Sequence, residues 1–329
     1  MNEKDNKTLD ELSELFQDLD MPDETRKKIY HNILKMRDQN LNVLITGATG
    51  SGKSSTINAL FGSTVAKVGC TPDPETKIID KYYCYNMTLW DTPGLGDGVE
   101  EDIKHAKIII DKLNEVDENG DPLIDLVLVI LDGSSRDMGT SYQLINEVIA
   151  PNLGKEKDKR LLVAINQADV AMKGRNWDYE LNKPNDALIN FLDEKADSVK
   201  KRVKEGSGLD IEPIYYSAGY TENGIQQQPY NLSKLLYYII KNIPMKKRLI
   251  LAGNTNQEEQ VWSTNDDIED YNEKIQKSFI ESIVDGVEEG ADIGGRIGEA
   301  FGGSVGEKVG KVVGGVVGGV VGFFKSIFS

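Results

Sequence analysis

Gly47, Gly52, Lys53 and Ser54 stand at the spacing G-x-x-x-x-G-K-S inside the stretch 41–55, LNVLITGATGSGKSS. That spacing suits the holding of phosphate oxygens. Glycines let the backbone bend sharply, so that successive N–H groups from Gly50, Ser51, Gly52, Lys53, Ser54 and Ser55 turn inward on an anion. The positive end of the following helix adds to the attraction. Lys53 would reach the outer phosphates as a point charge, and the Ser54 hydroxyl would take one position on Mg²⁺. Farther along, Asp91-Thr92-Pro93-Gly94 offers a carboxylate for Mg²⁺ and, at Gly94, an N–H that senses a terminal phosphate. Such a D-x-x-G run is by itself a common turn, and its weight comes from following a phosphate loop and two strands. In Asn166-Gln167-Ala168-Asp169 an amide and a carboxylate are spaced to read the edge of a purine. The carboxylate accepts from N–H donors that guanine has and adenine lacks, which selects GTP over ATP. The same residues would also serve as a helix cap after a strand. Ser217-Ala218-Gly219 supplies small residues where backbone N–H groups can approach a base.

These residues need strands to deliver them. A strand precedes the phosphate loop and a helix over 54–61 follows it, then a loop-like segment over 62–76 with Gly69, Pro72 and Pro74. Strands over 77–83 and 87–91 flank a turn at Tyr85 and Asn86. The apolar runs DLVLVILD (125–132) and RLLVAIN (160–166) read as buried parallel strands, with a helix over 141–149 between them. An insertion-like stretch over 170–204 contains Trp177, a packing anchor, and a helix with Leu188, Leu192, Val199 and Val203 on one side. A strand over 211–216 and a helix over 231–242 close the unit. Strands alternating with helices predict an α/β, doubly wound, mostly parallel sheet that binds its ligand at the carboxyl ends of the strands, where all four motifs fall. Ahead of it, residues 8–36 read as two helices, with Leu12, Leu15, Phe16 and Leu19 in the first and Ile29, Ile33 and Met36 in the second, which opens at Pro22.

The chain has 329 residues and a formal net charge of −16. That charge argues against broad binding to nucleic acid, which needs clustered Lys and Arg. Cys70 and Cys84 have no metal-ligand spacing and His31 and His105 stand far apart, so zinc sites and disulfide frameworks are not expected. The N-terminus lacks the apolar core of a secretory signal, and a cytoplasmic location is expected.

The four motifs, in this order and separation, resemble the GTPase domain of the translation-factor-related class over about residues 40–245. The nearest likeness is to Era-like and YfjP-like bacterial GTPases, the ribosome-binding GTPase domain family, with a looser similarity to dynamin-like and immunity-related GTPases. The resemblance implies a Ras-like P-loop fold, GTP and GDP as ligands, Mg²⁺ as cofactor, slow hydrolysis, and two switch loops that order around the terminal phosphate. It places a Mg²⁺-binding switch threonine before the second strand, best met by Thr76, with Thr71 the competitor. Lys53, Thr76 and Gly94 would then carry the catalytic roles, and Ser54, Thr76 and Asp91 would hold the metal. Two departures stand out. Gln167 replaces the usual Lys of the base-reading motif, keeping a hydrogen bond but losing charge and alkyl stem. Leu95 follows Gly94 where Ras-type enzymes place a water-orienting Gln. Hydrolysis would therefore need a backbone group, a switch-loop side chain or a partner. Arg136 is one candidate arginine finger acting on a neighbouring molecule, although a surface salt bridge is the plainer role for an exposed Arg.

Past Pro244 the composition changes. A basic cluster, Lys246-Lys247-Arg248, precedes an acidic stretch, with eleven Asp or Glu against two Lys over 255–290. A helix over 266–287 is expected there, with Ile268, Ile275, Phe279, Ile283 and Val287 as its apolar stripe. Glycine then recurs every four residues from 286 to 322. Such a period allows very close helix approach, and in water it needs lipid, a partner helix or self-association to offset a cost of roughly 1 kcal/mol per Gly. The uncharged run 312–324 is thirteen residues long, short of the roughly 20 that span a bilayer. A membrane hairpin, an interfacial helix or a bundle is expected in preference to a simple span, with a disordered tail as the alternative. The division expected is 1–39, a helical lead-in; 40–245, the G domain; 246–285, an acidic linker and helix; and 286–329, a glycine-zipper tail. Two readings follow: a GTP-hydrolysing switch, and a nucleotide-gated membrane or assembly module with incidental turnover. Ribosome association is left open on the family likeness alone. Homo-oligomers and a peripheral place at the inner face of the membrane accompany the second reading.

Overall fold

The computed structural model describes residues 21–294 apart from 38, 63–78, 85, 97, 155–156, 223–224, 257, 288–289 and 291. Thr71, Thr76, the first lead-in helix and the glycine-periodic segment beyond 294 lie outside the described residues.

Three runs of apolar residues form the middle of the sheet: β1 (Leu41–Thr46), β4 (Leu126–Asp132) and β5 (Leu161–Asn166). Nearly every position in them is buried, because both faces are covered and no face is left for polar residues. With β2 (Asp80–Cys84), β3 (Met87–Asp91) and β6 (Ile214–Tyr215) they make a six-stranded sheet in the order β2-β3-β1-β4-β5-β6. Only β2 runs antiparallel, and the β2–β3 register sets Asp80 opposite Asp91. The chain is thus an α/β protein with a mostly parallel sheet.

Period-two alternation divides the core into two layers. Val43, Ile45, Leu126, Leu128, Ile130, Leu162 and Ala164 face one side. That side is covered by α1 (Asp23–Arg37), α2 (Lys53–Phe61), α6 (Leu232–Asn242), α7 (Arg248–Asn254) and α8 (Tyr271–Ile283). Leu44, Val127, Val129, Leu131, Val163 and Ile165 face the other. There α3 (Val99–Leu113), the helical run from α4 (Gly139–Gln143) through Leu144–Ile149, and α5 (Asp186–Ser207) complete the layer. Trp177 packs in it, 5.2 Å edge-on to Tyr230.

Differences from the sequence reading lie mainly in the C-terminal third. The stretch 246–285 packs as part of the core: Leu249, Ile250, Leu251, Val261, Trp262, Ile275, Phe279 and Ile283 join the same cluster as Ile29, Ile33 and Met36. Burying each such side chain is worth about 1.5–3 kcal/mol, which outweighs the repulsion within an acidic segment. Lys247 turns back to Asp125, with Nζ at 2.7 and 2.9 Å from its two oxygens, so part of the basic cluster is an internal ion pair. The acidic helix begins at Tyr271, because Asp270 caps it by accepting from Glu273 N. Ile268 therefore lies ahead of the helix, 70% exposed, and does not belong to the apolar stripe. The expected boundary at 285/286 falls inside the packed unit, since Ile293 is 1% exposed and Val287 lies against the same cluster. The strand expected over 211–216 is confined to Ile214–Tyr215.

Candidate functional site

The loop between β1 and α2 is folded on its own carbonyls. Lys53 Nζ donates to Gly47 O at 3.0 Å and to Ala48 O at 3.4 Å, and Ser51 N donates to Ala48 O at 3.1 Å. Ser54 and Ser55, at the start of α2, are exposed, and so is Gly50. Gly52 has φ +86°, and a Cβ there would lie 2.2 Å from Asn166 Nδ2, so both backbone conformation and space require glycine. The helix behind the loop is pinned from below, where Thr56 Oγ1 lies 2.8 Å from Gly52 O and 2.6 Å from Tyr216 Oη, two buried hydroxyls satisfying each other.

Asn166, at the end of β5, bridges two loops. Its Nδ2 donates to Ser51 O at 2.9 Å and its Oδ1 accepts from Ala218 N at 3.0 Å. Gln167 adopts φ +63° and donates from Nε2 to Gly50 O at 2.6 Å. The substituted Gln thus ties the base-reading turn to the phosphate loop without a charge. Asp169 follows in the same turn, 3% exposed. The N–H groups of Ser217 and Ala218, expected to approach a base, are engaged within the protein, with Tyr230 O and Asn166 Oδ1 respectively. Of the two, Ala218 N is the one that holds Asn166.

Asp91 ends β3 beside Ile45 of β1, and Thr92 N donates to Ile45 O at 3.0 Å. The chain then presses Gly94 onto the phosphate loop, where a Cβ would lie 1.9 Å from Gly47 O. His105 of α3 places Nδ1 2.9 Å from Gly94 O, which ties this helix to the turn. Leu95, 7% exposed, is buried in the apolar layer with Trp90 and Ile109, and its side chain has no polar atom for a water. Arg136 is exposed on the loop after β4.

The donor set suits Mg²⁺. Asp91 Oδ1 is buried with no hydrogen-bond partner among the described residues. Burial pushes the Asp91 carboxyl up to about 6, Lys53 opposing and Asp80 adding to the rise, so a cation at this oxygen would be favoured. With the Ser54 hydroxyl it makes two hard oxygen ligands next to a phosphate cradle, the usual surroundings of Mg²⁺. Ser51 Oγ and Thr46 Oγ1 are also buried without partners there.

Three contacts escape a reading by motif. Tyr216 supports α2. Asn256, from the C-terminal segment, caps the far end of α2, its N–H donating to Leu60 O at 2.7 Å and its Nδ2 to Ala59 O at 3.0 Å. Lys195 of α5 donates to the loop after β4. Only Lys195 left a trace in the sequence, since it falls at the 188, 192, 195, 199 spacing otherwise occupied by Leu and Val.

Comparison with known proteins agrees with this geometry. Residues 42–167 match the 50S ribosome-binding GTPase family, a stretch running from β1 through Gln167. Residues 6–71 also match the FtsK/SpoIIIE family, over a segment that holds the phosphate loop and ends before Asp91. The uncharacterized protein YfjP of Escherichia coli is 31% identical over 134 residues, 39% of this chain and 41% of its own. The uncharacterized protein YkfA of the same organism is 28% identical over 159 residues, 46% of this chain and 50% of its own. The matches thus span half or less of these curated relatives. Among solved structures, Toc33 of Arabidopsis thaliana in complex with Mg²⁺ and GMPPNP covers 62% of this chain and 82% of its own at 22% identity, with a TM-score of 0.38. The phosphate loop, Asp91, Gly94 and the Asn166 turn all lie within or border the stretch 42–167, which carries the match to the 50S ribosome-binding GTPase domain.

Proposed function

We propose that this protein binds GTP with Mg²⁺ and hydrolyses it slowly to GDP as a molecular switch. One observation carries the reading: Asn166 and Gln167 bond directly to Ser51 O and Gly50 O, so the base-reading turn and the phosphate loop form one rigid cradle. Gly47, Gly50, Ser51, Gly52, Lys53, Ser54 and Ser55 would take the phosphates. Asn166, Gln167 and Asp169 would take the base, with Ser217 and Ala218 supporting them. Ser54, Asp91 and the switch threonine, Thr76 or Thr71, would hold Mg²⁺, which neutralises charge on the outer phosphates when bound. Gly94, which lies against Gly47, would respond to a terminal phosphate. Buried Leu95 would leave the intrinsic rate low, and the exposed Arg136 would be available to a second copy of the chain, where an arginine finger supplies roughly 10³ to 10⁵ in rate. Titration with fluorescent GTP and GDP analogues tests the site. Lys53→Ala is expected to abolish tight binding, and Asp169→Asn to shift preference from GTP toward xanthosine triphosphate; unchanged affinity or unchanged selectivity overturns the assignment.

A second reading, in which nucleotide state governs membrane contact or self-assembly from the cytoplasmic face, is favoured by the start of the glycine period. A Cβ at Gly290 would lie 3.0 Å from Val284 O and one at Gly294 would lie 3.3 Å from Ile280 Cγ2, so these two glycines of the period allow close approach to the end of α8, whereas the first, Gly286, has open space around it. Among the described residues no helix is long and apolar enough to cross a membrane. Liposome flotation and sedimentation of the full chain against a chain ending at 294, each with GDP and with a non-hydrolysable GTP analogue, test it. Loss of flotation or of assembly in the shorter chain supports the reading, and identical behaviour removes it.

A further inference from the structure

Gly133, the first residue after β4, is wired in two directions. Its N–H donates to Asn166 O at 2.7 Å, and its carbonyl accepts from Lys195 Nζ at 2.5 Å. There is no slack on the Asn166 side, because a Cβ on Gly133 would lie 2.5 Å from Asn166 O and 3.3 Å from Gln167 O. Lys195 Nζ also donates to Ser135 O at 2.6 Å. The loop is closed on itself as well: Asp132 Oδ1 accepts from Ser134 N and Oγ, both at 2.7 Å, and Ser135 Oγ donates to Asp137 O at 2.8 Å.

Lys195 comes from the middle of α5, on the face that carries Leu188, Leu192, Val199 and Val203 into the core. A lysine on that face costs side-chain entropy and desolvation, and burial lowers its pKa while Asp132 opposes the fall. An apolar residue would pack there at lower cost, so the charge has another use. Its two carbonyl acceptors belong to the only loop that backs the Asn166–Gln167 peptide among the described residues bonded to Asn166 O.

We infer that Lys195 is a positioning residue for nucleotide-base recognition, holding the 133–135 turn against Asn166 O so that Asn166, Gln167 and Asp169 keep their register with the phosphate loop. The inference rests on the GTP reading above. Lys195 touches no nucleotide itself. It acts through Gly133 on a turn that already carries a left-handed Gln167, a conformation that relaxes when its surroundings loosen. Displacement of a recognition group by about 1 Å is enough to cost up to about 100-fold. The expected loss is smaller, about tenfold, because Ser51 O and Gly50 O still hold the turn from the other side.

The test compares dissociation constants for GTP and inosine triphosphate, which lacks the exocyclic amine that Asp169 would accept. In Lys195→Met, an apolar side chain of similar length, the GTP-over-inosine preference is expected to narrow about tenfold, and Lys195→Arg to restore most of it. Gly133→Ala reaches the same contact from the other side, by driving a methyl group onto Asn166 O, and is expected to narrow the preference alike. The double variant should then lose little more than either single one. Circular dichroism and thermal midpoints establish that each variant is folded. A folded Lys195→Met with the parental preference, its midpoint lowered or not, overturns the inference, as does a Gly133→Ala that keeps it. A parent with no preference for guanine overturns the GTP reading and this inference with it, a result separable from the first because it appears before any substitution is made.

Discussion

Asn166 holds the phosphate loop and the 218 loop together before any nucleotide arrives, and this sets it apart from the other half of its motif. Replacing Asn166 by Ala removes a donor from Ser51 O and an acceptor from Ala218 N, both in a buried site. Each orphaned buried partner costs about 1–3 kcal/mol, less where water enters the space vacated by the amide, so the nucleotide-free protein should lose about 2–4 kcal/mol. At about 2–4 °C per kcal/mol for a domain of this size, the midpoint of thermal unfolding falls by about 4–16 °C. Asn166→Asp keeps an acceptor for Ala218 N but sets a carboxylate against Ser51 O, and should be no better. Asp169→Asn, which leaves both bridges in place, should shift the midpoint far less while moving base selectivity. Differential scanning fluorimetry and urea unfolding of the nucleotide-free proteins decide the matter. If Asn166→Ala unfolds within about 1 °C of the parent yet no longer binds GTP, Asn166 reads the base and the bridging role is wrong.

Gly94→Ala places a methyl group 1.9 Å from Gly47 O, so the switch turn must back away by more than 1 Å; we expect a loss of about 1–3 kcal/mol and turnover reduced up to about 100-fold, and an unaffected single-turnover rate would show that this contact is not used in hydrolysis. The Asp91 carboxyl, at about 6 in the folded state against an ordinary 3.8, binds its proton more tightly folded than unfolded, so stability of the nucleotide-free protein should fall as pH rises from about 4 to about 6 and then level. Asp91→Asn should remove that step, worth at most about 3 kcal/mol, and a urea midpoint with the same pH dependence in both proteins would contradict it. Burial raises the Cys84 thiol from 9.0 to about 12. In a Cys70→Ser background, iodoacetamide should therefore modify the folded protein about 30- to 1000-fold more slowly than the urea-unfolded chain, the lower figure allowing for the greater nucleophilicity of a high-pKa thiolate. Asn256→Ala keeps the amide bond to Leu60 O but frees Ala59 O. It should cost about 1 kcal/mol and speed hydrogen exchange in the last turn of α2, which unchanged exchange would refute.

The nucleotide domain could be read from the sequence because its elements are local and strongly patterned. Runs such as LVLVILD and LLVAIN are strands buried on both faces whatever surrounds them, and each chemical motif sits within a few residues of a strand's carboxyl end. The C-terminal third resisted for the opposite reason. Its composition, eleven acidic residues against two lysines over 255–290, describes a solvated face, whereas its fate is decided by a few apolar side chains whose partners lie more than 200 residues earlier. Phe279 and Ile283 share a core with Ile29 and Ile33, and Asn32 Nδ2 holds Ile283 O and Asp285 O, each at 2.9 Å. No local pattern reports such a pairing, and the one-residue cap at Asp270 was enough to move the helix start past Ile268.

That packing changes how the phosphate loop stands in the molecule. The α2 helix begins at Lys53 and ends where Asn256 takes the carbonyls of Ala59 and Leu60, and Trp262 Nε1 in turn donates to Asn256 O at 3.0 Å. One helix therefore has the phosphate cradle at its amino end and the C-terminal segment at its carboxyl end. The chain leaves that same carboxyl end for residues 63–78, which contain both threonines proposed to meet Mg²⁺. Gly62, the last described residue before them, adjoins the two carbonyls that Asn256 holds. The glycine-periodic segment is joined to the same unit through α8, Ile293 and Val287. The phosphate cradle and the C-terminal segment thus bear on opposite ends of one helix, a contact made outside the sheet.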